Sequence, residues 1–124
     1  MKGLKNQIKS VILPISKDFI KNPKNKEHPY TKALSIYYWY SNKENSSKKD
    51  IIFAANGISM LLSSFTNEPF YTDVLKLMTH AKSSWSKVIN GDPSKEFFDM
   101  FEKYESEIKK VTIKDIKNYI TNNM

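Results

Sequence analysis

Apolar side chains recur along this chain at three- and four-residue steps and almost nowhere in strict alternation. The first set is Leu4, Ile8, Val11, Ile12, Ile15 and Phe19, the spacing of one face of an α-helix. Pro14 falls inside it. Proline has no N–H to donate and its ring crowds the preceding turn, so the pattern predicts a helix over about 3–12 and then a kink or short second helix over about 15–21. Residues 22–30 hold Pro23 and Pro29 with little apolar content and read as a loop. Thr31 is placed to cap a helix running to Tyr40. Residues 41–48 form a second polar loop, the expected flexible point of the chain.

From Lys49 to Phe65 the chain is nearly uncharged after Asp50. It mixes Ile51, Ile52, Phe53, Met60, Leu61 and Leu62 with Ala54, Ala55, Gly57, Ser59 and Ser63. A helix apolar on most sides must be surrounded, which makes this the expected central helix. Tyr71, Val74, Leu75, Met78, Ala81, Trp85, Val88 and Ile89 then follow the helical period up to Asn90-Gly91, a helix stop. Asp92-Pro93-Ser94 restarts a helix. Its expected stripe is Phe97, Phe98, Phe101, Tyr104, Ile108 and Val111. Thr112 and Asp115 are spaced as a capping box for a closing helix through Ile113, Ile116, Tyr119 and Ile120. The closing phrase from Val111 to Ile120 resembles the capped helix starts of many unrelated families, the core-binding domain of tyrosine recombinases among them. It is generic capping chemistry, and no function follows from it.

The expected fold is all-α: a compact single-domain bundle of about six or seven helices over residues 1–124, with a buried central helix near 49–65. Charge divides the chain into two parts. Residues 1–50 hold 11 lysines against Asp18, Glu27, Glu44 and Asp50, and residues 51–124 hold nine lysines against nine acids. A basic N-terminal segment 1–50 thus precedes a charge-balanced helical core 51–124. All the basic side chains are lysine and none is arginine. Lys, Asn and Ile are abundant and share A/T-rich codons, so base composition accounts for the missing arginine. A lysine-only surface grips phosphate as point charges and reads little sequence.

Candidate chemistry is sparse. Without cysteine the chain has no disulfide scaffold, zinc thiolate or cysteine nucleophile, which fits a reducing compartment, and a cytoplasmic location is expected. No stretch reaches 18 apolar residues, so no transmembrane segment is expected. His28 sits in a Pro-flanked loop and His80 beside an apolar stripe, with no metal-ligand spacing around either. Gly3, Gly57 and Gly91 are isolated and form no phosphate loop. Glu102 and Glu105 share a lysine-rich helix and read as solvated charge. The reading is non-enzymatic, with no catalytic residue, metal or cofactor.

Two features could carry binding. Tyr37, Tyr38, Trp39 and Tyr40 are four consecutive aromatics, too widely spread around a helix for one packed face to bury them all. They form either an enclosed helical turn or an exposed patch of the kind that anchors protein partners. The lysines Lys2, Lys5, Lys9, Lys21, Lys24, Lys26, Lys43, Lys48 and Lys49 form a solvated face, a phosphate grip or a basic face for an anionic membrane surface. The preferred reading is a small protein-binding factor with the 37–40 aromatics as its contact: an inhibitor, immunity factor, adaptor or structural accessory of a phage, virus or mobile element. The alternative is a nucleic-acid-binding protein gripping phosphates through those nine lysines.

Overall fold

The computed structural model describes residues 2–123, the side chain of Lys2 excepted. Six helices occupy them in chain order: α1 (Lys2–Lys21), α2 (Pro29–Ser41), α3 (Lys48–Leu62), α4 (Tyr71–Val88), α5 (Pro93–Lys109) and α6 (Ile113–Asn123). No strand occurs among the described residues. The protein is an all-α bundle of six helices on one core, as the periodicity predicts.

The core is built around α3. Every residue from Asp50 to Ser59 is buried, so this helix is packed on all sides. It lies against α2 and α4 most extensively, and against α1. Gly57 sits where α2 comes close: a Cβ at this position would lie 3.2 Å from Ile36 Cδ1. The small residue sets that helix–helix distance.

Helix α1 runs unbroken through Pro14, contrary to the expected break. An internal proline costs about 3 kcal/mol. Against that, Leu4, Ile8, Val11, Ile12, Ile15 and Phe19 are all buried to within 1 %, and each large apolar side chain buried contributes about 1.5–3 kcal/mol. Only a continuous helix keeps these six on one face, and Pro14 lies on the exposed side. The start of α2 is also earlier than expected. His28, not Thr31, is the cap: its Nδ1 accepts a 3.1 Å hydrogen bond from the Tyr30 N–H, and Pro29 occupies the first turn. Thr31 is buried within that turn.

The other ends follow their local chemistry. Ser47 and Asp50 form a reciprocal capping box on α3, Asp92 caps α5, and Thr112 and Asp115 form the box on α6. Asn45, in the polar loop before α3, adopts φ 55°, a left-handed conformation that asparagine tolerates. Two helices are rotated from the expected phase. In α4 the inward residues are Val74, Leu77, Ala81, Ser84 and Trp85, leaving Leu75 exposed. In α5 they are Met100 and Tyr104, leaving Phe98 and Phe101 exposed.

Candidate interaction surfaces

The four consecutive aromatics divide between core and edge. Tyr37 and Trp39 are buried, and Tyr38 and Tyr40 are half-buried. Tyr37 and Tyr38 meet Tyr119 of α6 edge-on, at centroid distances of 6.0 and 5.5 Å. Burial, then the neighbouring Tyr119, raises the pKa of both Tyr37 and Tyr40. Trp39 turns inward against Phe53 and Tyr104. Its Nε1–H reaches the edge and donates a 2.9 Å hydrogen bond to Glu107 Oε2. Together these rings mostly hold α5 and α6 against α2. Edges of Tyr38 and Trp39 line an open cleft of ≈ 420 Å³ with Asn42, Lys43, Glu107 and Lys110.

Behind that cleft lies a buried polar cluster. Asp50, 4 % exposed, accepts hydrogen bonds from the Ser47 N–H and from Tyr104 Oη at 2.9 Å. Lys43 Nζ lies 3.9 Å from the same carboxylate and stands over the Trp39 and Tyr104 rings. Burial pushes the Asp50 carboxyl up, but the Ser47 N–H, the Tyr104 hydroxyl and the Lys43 charge outweigh it and hold the carboxyl below its ordinary value. Burial, then the bond to Asp50, pushes the Tyr104 phenol up to about 12. The sequence shows Asp50 and Tyr104 54 positions apart, and no local signal pairs them.

The nine lysines do not act as one set. The side chain of Lys2 lies outside the described residues. Lys24 pairs with Asp18 at 3.8 Å. Lys26 Nζ donates to the Lys109 carbonyl at the end of α5. Lys43 belongs to the Asp50 cluster, and Lys49 pairs with Glu96 at 3.2 Å. Four of the nine are thus tied to the protein itself, and two of those, Lys26 and Lys49, hold α5. Lys5, Lys9 and Lys21 are exposed on α1, and Lys48 is exposed at the start of α3.

Helix α5 carries what the sequence pattern concealed. Phe98 is 65 % exposed and Phe101 42 %, one helical turn apart. With five acids against three lysines, it is the helix with a negative excess in a chain of formal charge +7. Lys95–Asp99 and Lys109–Glu105 are paired along it.

The histidines have structural partners. His28 caps α2, and burial followed by the Lys24 charge lowers its pKa, which keeps Nδ1 free to accept. His80 Nδ1 lies 2.8 Å from Gln7 Oε1 at the seam between α4 and α1. Among the described residues no group of three or more His, Asp or Glu is placed to hold a metal ion, and no helix is long and apolar enough to cross a membrane. No family model, curated protein or solved structure matches this chain.

Proposed function

We propose that this protein acts by binding another protein, as an inhibitor, immunity factor, adaptor or structural accessory, and that the outer face of α5 makes the contact. The observation behind this reading is the exposure of Phe98 and Phe101 on adjacent turns of one helix. Single exposed apolar residues are ordinary, but a cluster marks an interaction surface. Fully burying a phenylalanine contributes about 1.5–3 kcal/mol, and the exposed parts of Phe98 and Phe101 leave roughly half of that to be gained from each. Glu102 stands beside them, with Asp99 and Glu105 paired to Lys95 and Lys109, so a partner with an apolar pocket and a polar rim of both charges fits this face. Tyr37 and Trp39 are engaged in the core, so the contact is assigned to α5 and not to the 37–40 segment.

The test is differential capture from nuclease-treated extract. Phe98→Ser with Phe101→Ser should abolish capture of a protein partner. Met60→Ser, at an equally exposed apolar side chain on α3, should leave it intact. A partner held equally by both variants would remove α5 from the reading.

A further inference from the structure

The positive charge, spread over the first 50 residues in sequence, is gathered differently in space. Helix α1 carries five lysines and one acid, and that acid, Asp18, is paired with Lys24. Helix α4 carries three lysines and one acid. The two helices pack side by side, with Gln7 and His80 at the seam. Lys76 lies four residues before His80 and Lys87 seven after, so both share its side of α4, as does Asp73 seven before, whereas Lys82 lies on another side. On α1, Lys5, Lys9, Lys17 and Lys21 are all exposed. They span 16 positions, about 24 Å at the helical rise. Lys17 was not among the lysines the sequence singled out.

Two aliphatic side chains stand in the middle of this lysine face. Leu13 is 41 % exposed and Ile20 43 %. Seven residues apart, they lie on the same side of α1, about 10 Å from one another. The one aromatic of α1, Phe19, is fully buried, and the chain has no arginine.

We propose that the outer face of α1, extended by Lys76 and Lys87 of α4, is a docking surface for an anionic lipid bilayer. Lysine ammonium groups are complementary to acidic headgroups, and their long stems let the charge stay at headgroup level while neighbouring apolar groups go deeper. Leu13 and Ile20 are those apolar groups. Binding of a helix face to a bilayer scales with the apolar area buried and with attraction to anionic lipids, and this face offers both. A nucleic-acid backbone would use the lysines alone. It would gain nothing from two aliphatic side chains, and the face offers neither an aromatic for base stacking nor an arginine for base edges. This inference is independent of the protein contact on α5.

The absence of cysteine makes the test direct. Leu13→Cys and, separately, Phe98→Cys are labelled with an environment-sensitive fluorophore. Each is titrated with phosphatidylcholine vesicles, with and without phosphatidylserine, at near-physiological salt, and with duplex and single-stranded DNA. The label at position 13 should blue-shift only with phosphatidylserine vesicles, and the label at 98 should not move. In sedimentation with the unlabelled protein, neutralising Lys9, Lys17 and Lys21 to Gln should weaken vesicle binding about fivefold per lysine. Leu13→Ser with Ile20→Ser should weaken it at least tenfold, with circular dichroism showing an unchanged helix content. No vesicle binding, equal binding to neutral vesicles, or DNA binding that is tighter and indifferent to Leu13 and Ile20 would each overturn the proposal, the last in favour of a phosphate grip on nucleic acid.

Discussion

Tyr104 Oη donates a 2.9 Å hydrogen bond to Asp50 Oδ1, joining the middle of α5 to the first turn of α3. Helix α5 buries Met100 and Tyr104 and packs the partly buried Phe97 and Ile108 against the core. Polar ties add to that packing: this bond, Trp39 with Glu107, Trp85 with Pro93, and Lys26 and Lys49 at its two ends.

Tyr104→Phe should therefore destabilise the fold by about 1–3 kcal/mol, because a buried carboxylate oxygen loses its donor. Amide exchange should accelerate in α5 well before α3. Equal acceleration in both helices would mean that α5 does not open on its own.

Acid should weaken the same cluster. The folded Asp50 carboxyl lies below its unfolded value, so its contribution is complete above about pH 4 and is lost as pH falls through the folded pKa. Asp50→Asn should flatten the acid limb of a stability–pH curve. An unchanged limb would place the sensitivity elsewhere.

Alkali acts on the other partner. The Tyr104 phenol has its pKa pushed up to about 12, so its contribution is complete below about pH 10 and is lost as pH rises through the folded value. The last tyrosinate step in ultraviolet absorbance should disappear in Tyr104→Phe and persist in the parent protein.

Trp39→Ala should cost about 3–5 kcal/mol, the range for a large aromatic removed from a core. Tyr38→Ala should cost clearly less, since Tyr38 is only half-buried. Chemical denaturation of the two single variants separates them, and equal costs would contradict the split between core and edge.

Pro14→Ala should stabilise the protein by about 2–3 kcal/mol, restoring a helical N–H on an exposed face. A neutral or negative effect in thermal unfolding would show that α1 depends on the proline ring.

Much of this architecture was legible in the residues. The steps from Leu4 to Phe19 predict the buried face of α1, and the nearly uncharged run from Lys49 to Phe65 predicts an enclosed helix. Pro14 misled because a local backbone penalty is visible in sequence, whereas the tertiary burial that exceeds it is not. His28 was passed over because histidine is not among the favoured capping residues, although Pro29 beside it marks a first turn. The phase of α5 was ambiguous for a different reason. Phe97, Phe98, Met100, Phe101 and Tyr104 spread over nearly half of the helix, wider than the face that packs, so periodicity admits two rotations. The long-range bond to Asp50 accompanies the one adopted. The same distance in sequence hid the ties that Lys26 and Lys49 make to α5.

The uneven placement of charge also makes the field around the molecule one-sided. Lysines stand in excess over α1, whereas on α5 Lys26 and Lys49 offset the two surplus acids, and the two helices share no extensive packing. Fields are screened over about 8 Å at physiological ionic strength, so the torque acts only in the last moments of approach. Within that distance a negatively charged body turns α1 toward itself. Phe98 and Phe101 are then left on a different side from the body first met, and a single small bundle can present two surfaces at once.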